Sequence, residues 1–394
     1  MRRAVALALA LAGPACVVAP PAPPPEPAKT PERALEELPP DAFPSFSDDL
    51  DYAGLDEAIG RSLDGLARLA AADPGRTFAF GRERVRVQRM QATLVRFREL
   101  ALARPSPADL SAALRGEFRV FRSAGDGAGR MLVTGYYLPE LHGSTTREGP
   151  FQVPLHAVPD DLVIARVKDF PQLSEDVVGR VDRGRLVPYR TRSEIAAGAL
   201  DGRGAELLWV DSAVDAFFLE VQGSGIVRLP DGTARVVTFA GKNGHRYESV
   251  TSELIRRGVM TRETSSMQAV RAWLRDHPED LRAILDTNPS YVFFRLSEAA
   301  IGALSVPVTA DRTVAADPRV FPKGGLAFLE SERPADGAPD APFRPFSRFV
   351  LDQDSGGAIR TSQRLDLFFG SGAYAEAAAG RMRQPGRLYY LLLR

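Results

Sequence analysis

From Ser290 to the C-terminus the sequence is a succession of short β-favouring runs broken by glycine, with room for one helix. The runs are Tyr291–Phe294, Ala303–Val308, Gly325–Leu329, Arg348–Asp354, Arg364–Phe369 and Leu388–Leu393, with a short helix over Tyr374–Arg381. That many strands in so little chain, with so little helix to cover an open sheet, predict a small closed barrel. Two aspartates stand out in it, twelve residues apart. Asp354 precedes a Gly356-Gly357 pair that frees the backbone to reach positive φ or to let a ligand come close. Asp366 lies inside an apolar strand, opposite in facing to Leu365 and Leu367. A strand disfavours Asp, and a carboxyl flanked by Phe368 and Phe369 is expected to be partly desolvated, the kind of setting an acid–base catalyst uses. The same residues also fit an exposed Asp on an edge strand. Asp354-Ser355-Gly356 matches half of an aspartic-peptidase site, but no second copy exists to share its proton.

Upstream the pattern alternates. Helices are expected from Asp51 onward (Leu55, Ile59, Leu63 and Leu66 on one face), over Arg82–Leu102, and after the Ser106-Pro107 start signal. Strands follow at Phe118–Val120 and Met131–Tyr137, then a loop-rich stretch from Pro139 to Gly204. Strands are expected again at Leu207–Val210 and Ala216–Val221, with a hairpin turn at Asp231-Gly232. Three helices come next, at Ser249–Arg257, Ser265–Asp276 and Pro278–Asp286.

The N-terminus predicts export. Met1-Arg2-Arg3 precedes an apolar run, Ala4 to Gly13, too short to span a bilayer, and the only cysteine, Cys16, follows. This resembles a bacterial lipoprotein signal (1–16), although Gly13 stands where Leu or Val is usual; an ordinary secretory signal cut nearby fits as well. Residues 17–45, rich in Pro, Ala and Glu, read as an extended tether. With 50 basic and 50 acidic residues there is no basic footprint for nucleic acid. One cysteine and four scattered histidines give no disulfide, no metal site and no cofactor motif.

Four clusters carry candidate chemistry: the aspartate pair, Gln222-Gly223-Ser224-Gly225, Gly241-Lys242-Asn243-Gly244-His245, and Thr134-Gly135-Tyr136-Tyr137. The second allows close backbone approach but is no G-x-S-x-G elbow, and a plain hairpin turn explains it equally. The third offers Lys and Asn donors suited to sugar hydroxyls and acetamido groups, and lacks the phosphate-binding pattern. The tyrosines of the fourth suit stacking on sugar rings, or simple packing.

In order along the chain these clusters read together with Val214-Asp215-Ala216-Phe217-Phe218, Asn288-Pro289-Ser290-Tyr291 and Ala316-Asp317-Pro318. From about Thr134 to the C-terminus the string resembles the membrane-bound lytic murein transglycosylase A family. The resemblance implies a mainly β protein with flanking helices. A double-psi β-barrel with the three-aspartate module (46–137 plus 288–394) would carry an inserted β-rich substrate-binding domain (138–287), with a groove between them for a glycan strand. It implies cleavage of the β-1,4 bond between N-acetylmuramic acid and N-acetylglucosamine of peptidoglycan, leaving 1,6-anhydromuramoyl ends without water. Catalysis would fall on Asp366 with Asp354 and Asp317. Substrate contacts would fall on Thr134, Tyr136, Asp215, Gln222, Gly223, Ser224, Lys242, Asn243, Gly356 and Gly357. The implied setting is the periplasm, lipid-anchored through Cys16 to the outer membrane, with wall-synthesis or wall-degradation proteins as partners. The competing class is a non-catalytic peptidoglycan-binding lipoprotein. The chain departs from the family at Arg360-Thr361-Ser362-Gln363, where relatives often carry Lys-Gly and a shorter link.

Overall fold

The fold is described by a computed structural model covering residues 28, 30–335, 341–357 and 359–394. Cys16, the signal segment, residues 17–27 and 29 of the expected tether, and Ala358 lie outside the described residues. Chain that reads as tether from its composition is already folded at α1 (Pro31–Ala34) and β1 (Leu35–Leu38). Ala34 and Leu35 are buried, and β1 pairs antiparallel with β4 (Phe118–Ser123). Between them come α2 (Leu55–Ala72), the hairpin β2 (Thr77–Phe80) and β3 (Glu83–Arg86), α3 (Val87–Leu102) and α4 (Pro107–Glu117). Helix α3 therefore starts five residues later than its pattern suggests, because Glu83–Arg86 is claimed by the hairpin.

β5 (Met131–Leu138) is the first strand of the barrel, and the rest of the barrel comes from the far end of the chain: β15 (Thr313–Ala315), β16 (Leu326–Pro334), β17 (Phe343–Asp354), β18 (Arg364–Ser371) and β19 (Arg383–Leu393), with α10 (Ala373–Arg381) before the last. The order β19-β16-β17-β15-β18-β5 closes because β19 also pairs with β5. Closure removes the sheet edges that short strands would otherwise expose. Two contacts are parallel, β15 with β17 and β18 with β5, and the others are antiparallel. Phe328, Phe349, Leu351, Leu365 and Leu367 fill the interior, and α2 and α3 cap it with Leu55, Ile59, Leu94 and Phe97. Gln353 is the polar exception. Its amide donates to the Ala58 carbonyl (2.7 Å) and Ser62 (3.0 Å), and it accepts from Thr313 (2.6 Å), so no buried polar group is left unpaired there. The run Ala303–Val308, expected as a strand, is a turn-rich connection in which Ser305 takes φ 60° and Pro307 breaks any ladder.

Between β5 and β15 the chain builds a second unit. Its main sheet has the order β14-β13-β12-β6-β11-β7, from β6 (Glu140–Ser144), β7 (Val153–His156), β11 (Glu206–Val210), β12 (Ser224–Arg228), β13 (Ala234–Lys242) and β14 (Val292–Ser297). A separate three-stranded sheet, β8 (Val163–Ala165), β9 (Val177–Asp182) and β10 (Arg185–Pro188), occupies the region expected as loop. After the short turn α5 (Arg192–Glu194), helices α6 (Ala213–Gln222), α7 (Val250–Arg256), α8 (Met267–Asp276) and α9 (Pro278–Leu285) pack together through Phe218, Leu254, Leu274 and Ile284. The largest correction is α6, which its Phe-Phe-Leu run suggests is a strand. Ser212 caps it by accepting from the Asp215 amide (3.1 Å), and Gly223 ends it at φ 82°, the left-handed conformation glycine adopts without strain. Start and stop signals outweigh the β propensity of the residues between them.

Candidate active site

Strand register sets the site. Ala315 of β15 is aligned with Asp354 of β17 on one side and Asp366 of β18 on the other. Asp366 is aligned in turn with Thr134 of β5, and Thr134 with Arg383 of β19. Aligned residues share a face, so one row across the barrel end carries both carboxylates, with their backbone positions two strand spacings, about 10 Å, apart.

The Asp366 side chain is 16% exposed. Arg364, two residues earlier and hence on the same face, reaches it with Nε at 2.9 Å and an Nη at 3.2 Å. Thr134 donates its hydroxyl to the same carboxylate, and Arg364 Nε lies 3.2 Å from that hydroxyl. This fork and hydroxyl fix the plane of the carboxylate.

Asp354, at the end of β17, accepts from the amides of Ser355 (2.8 Å) and Ala303 (3.0 Å) and from the Tyr136 hydroxyl (2.9 Å). Burial pushes its carboxyl above the usual range although those donors and Lys323 oppose the shift. Tyr136 packs its ring 5.0 Å from that of Phe368. Burial, then the Asp354 charge, push its phenol far above its ordinary value, so it remains a donor. Asp317 is buried at the same end. Burial acts against its ionisation, but the Arg319 guanidinium (2.6 and 2.9 Å) and the Thr361 amide (2.7 Å) outweigh it and hold the carboxyl below its usual range. Asp317 thereby holds the loop between β17 and β18, where Thr361 takes φ 78°.

Beneath the row, Lys323 donates to the Asp352 carboxylate and to the carbonyls of Asp354 and Ala316 (3.3 Å for the last). The Tyr390 hydroxyl completes the Asp352 shell at 2.8 Å. One buried cation thus ties together the strand ends from which Asp317 and Asp354 emerge.

The other expected residues divide. Gln222 accepts from the Tyr137 amide (3.2 Å) and so joins α6 to β5. Ser224 bonds Thr238 (2.8 Å), whose hydroxyl lies 3.4 Å from the Ile301 amide, two residues before the Ala303 amide on Asp354. Gly223 is the cap of α6. Lys242 is exposed. Asn243 is buried and spends its groups inside the protein, donating to the Arg190 and Pro289 carbonyls and accepting from the His245 and Tyr291 amides. Asp215 pairs with Arg271 and Arg275, and Arg271 also bridges to Glu376 of α10, so Asp215 joins α6, α8 and the barrel flank. Tyr137 is 2% exposed and its ring has no room to stack on a sugar. Neither Gly356 nor Gly357 takes positive φ; a Cβ at Gly357 would meet open space, which leaves the close-approach role for this pair. Among the described residues no group of His, Cys, Asp and Glu has metal-site geometry.

Two participants escape the sequence reading. Arg364 carries a signal, since Arg-x-Asp on a strand puts both side chains on one face. Lys323 carries none, because its partners arrive from other strands.

Residues 132–295 match the family model described as MltA specific insert domain, and residues 312–392 match the 3D domain model. The chain is 34% identical over 275 residues to membrane-bound lytic murein transglycosylase A of Escherichia coli, covering 68% of this chain and 67% of that protein. The Vibrio cholerae protein of the same name is 33% identical with the same coverage. Among solved structures, a membrane-bound lytic murein transglycosylase from Agrobacterium tumefaciens superposes with TM-score 0.75 at 32% identity, over 92% of this chain and 98% of that one. Escherichia coli MltA with bound chitohexaose superposes with TM-score 0.70 at 27% identity, over 92% and 95%.

Proposed function

The chain belongs to the membrane-bound lytic murein transglycosylase A family and is a lytic murein transglycosylase, and from that premise we propose that a single carboxyl, on Asp366, carries both proton transfers. Protonated Asp366 donates to the glycosidic oxygen as the bond from C1 of the N-acetylmuramoyl residue to that oxygen breaks. Positive charge develops at C1 and the ring oxygen. The carboxylate then takes the proton from the C6 hydroxyl of the same residue, and that oxygen closes onto C1. The products are a 4-hydroxyl on the departing sugar and a 1,6-anhydro end, and Asp366 regains its starting proton. Ordinary glycosidases need two carboxyls; here the substrate brings the nucleophile.

The observation that carries this reading is how each acid is engaged. Asp354 is bound by two amides and a buried tyrosine. Asp317 is neutralised by Arg319 and holds a loop. Asp366 alone of the three is held only by side chains, Thr134 and Arg364, and its side chain keeps 16% exposure. Acid–base help from one group contributes about 10²–10⁴-fold. Positioning and dipoles supply more, with the Gly356-Gly357 amides, Ser224 and Gln222 along the substrate path and Asp354 and Asp317 as positioning groups. Lys242, exposed at the end of β13, suits a more distant sugar or a stem carboxylate.

Incubating the protein with purified sacculi in heavy-oxygen water tests the reaction. Soluble fragments one water lighter than hydrolysis products, with no label, are expected; labelled reducing ends would make the protein a hydrolase. The relatives are membrane-bound by name, and no helix of the described residues is long and apolar enough to cross a membrane. Cys16 lipidation at the outer membrane, facing the periplasm, supplies that attachment in our reading. It predicts that Cys16→Ser moves the protein from the membrane to the soluble fraction; a serine variant that still sediments with membranes would exclude it. We also assign 46–137 and the C-terminal strands to the catalytic unit and the stretch from 138 to the insert; because β14 (Val292–Ser297) pairs with β13, we move the second junction from residue 287 to after Ser297. Limited proteolysis should cut first near those junctions, and early cuts inside the barrel strands would contradict the division.

A further inference from the structure

A second cavity, of about 460 Å³, lies in the insert between the edge strand β7, helix α6 and helix α9. Its wall from α6 is Ala213, Ala216, Phe217 and Glu220, a stripe at helical spacing that excludes Gln222 and Asp215. None of the barrel residues that surround Asp366 lines it. It is therefore separate from the cleavage site.

The cavity has features of a built site. His156 is 1% exposed; its Nδ1 is 2.8 Å from the Tyr291 hydroxyl, and its Nε2 has no hydrogen-bond partner in the protein although the residue lines the cavity. A buried polar atom left unpaired costs stability, and a site that keeps one is poised to pair it with a ligand. Burial holds this histidine below its usual pKa, and therefore neutral. Opposite it, Arg192 is fully engaged with Glu220 (2.7 and 2.8 Å) and the Ser290 carbonyl (2.7 Å). Arg282 is engaged with Asp286 (2.6 Å) and two carbonyls. Arg147 lies over the Trp209 ring at 5.3 Å and bonds Gln152 at 2.9 Å. With Asp201 the lining holds three arginines and three acids, so its charges balance.

Those properties select a ligand. A neutral lining disfavours an ion, the volume suits one or two sugar rings, and aromatic and alanine walls suit an acetamido methyl and the apolar face of a pyranose. We propose that this cavity is an accessory binding site for a neutral N-acetylhexosamine segment of a glycan, with His156 Nε2 bonding a hydroxyl or acetamido group and Trp209 flanking the ring. The inference rests on the glycan substrate assigned above. It gives the enzyme a second hold on the wall polymer, away from the bond being cut.

Trp209 and Trp273 are the only tryptophans, so the full chain carrying Trp273→Phe and Asp366→Asn leaves Trp209 as sole reporter and does not consume the probe. Titration with N,N′-diacetylchitobiose is expected to give a saturable change in Trp209 emission. His156→Ala should weaken it about three- to tenfold, the loss of one hydrogen bond. Ala197→Phe, at an exposed lining position, should block it without removing a core atom. No saturable change, or one that survives both substitutions, overturns the proposal. Active wild-type protein with a silent Trp209 sinks this inference alone, whereas a responsive Trp209 in a protein that releases nothing from sacculi keeps the site and removes the reaction.

Discussion

Replacing Lys323 by methionine tests whether the buried cation beneath the aspartate row holds the site together. Lys323 is 8% exposed and Asp352 fully buried. Methionine preserves most of the length and removes the charge, leaving the Asp352 carboxylate with only the Tyr390 hydroxyl. Stranding one member of a buried ion pair costs about 3–5 kcal/mol. The cost depends on pH, with a definite sign. Burial pushes the Asp352 carboxyl up in the folded protein, against the pull of Lys323 and Tyr390. Without Lys323 the burial effect is less opposed, and the folded state takes up a proton that the unfolded state, at about 3.9, does not. Such a group loses stability as pH rises from the unfolded value through the folded one. The variant should therefore lie closer to wild type at pH 5 than at pH 8. Adding Asp352→Asn, which keeps an acceptor for Tyr390 and removes the charge, should restore more than half of the loss. Urea unfolding of the four proteins of this cycle at both pH values is the assay. A loss under about 1 kcal/mol at pH 8, or a double variant no more stable than Lys323→Met alone, would refute the reasoning. The rate on sacculi should fall well below the melting temperature too, because the Asp317 and Asp354 strand ends lose their common tie.

Three further outcomes follow from the same geometry. A Cβ at position 135 would stand 2.7 Å from the Phe369 ring and 2.8 Å from the Ala379 backbone. Gly135→Ala should thus cost about 1–3 kcal/mol by overpacking and lower activity through its neighbours Thr134 and Tyr136; a wild-type melt and rate would count against this. Tyr136→Phe removes a donor that holds the Asp354 carboxyl down. The acidic limb of the pH–rate profile should move to higher pH, and an unmoved limb would show that Asp354 ionisation does not matter to the reaction. Asp48, despite burial, is held below its usual pKa by Arg312 and backbone amides, as Asp317 is by Arg319. Their contribution to stability is present above the unfolded value of about 3.9 and lost as pH falls through the lowered ones. Asp317→Asn should flatten that acid limb of the unfolding curve, and an unchanged curve would contradict the assignment.

The strands of the barrel are legible because each half-buried run alternates or is continuously apolar and is bounded by Gly or Pro, as in Arg364–Ser371. Closure is not, since it depends on β5 meeting β18 in parallel and β19 in antiparallel pairing, strands more than 220 residues later. Asp366 and Asp354 attract notice as carboxylates where strands disfavour them. Their shared row requires the register of three strands, which no local pattern encodes. Helix α6 reads as a strand because two phenylalanines outweigh the Ser212 and Gly223 signals to the eye, whereas in the fold the caps and the Arg271 pair decide. Asn243 and Asp215 look like ligand contacts because polar residues beside glycines or aromatics are ambiguous. The structure gives their groups partners from distant segments. The unpaired His156 nitrogen is equally invisible in sequence, since only the packing of β7 against Tyr291 isolates it.

The most direct measurement is the rate at which purified Asp366→Asn releases anhydro-ended fragments from sacculi, with its melting curve recorded alongside. Asparagine retains an acceptor for Thr134 but has no proton to give and none to regain, so a fall of about 10²–10⁴-fold with an intact fold is predicted. A variant that melts like the wild type and releases those fragments at nearly the wild-type rate would show that another group handles the proton.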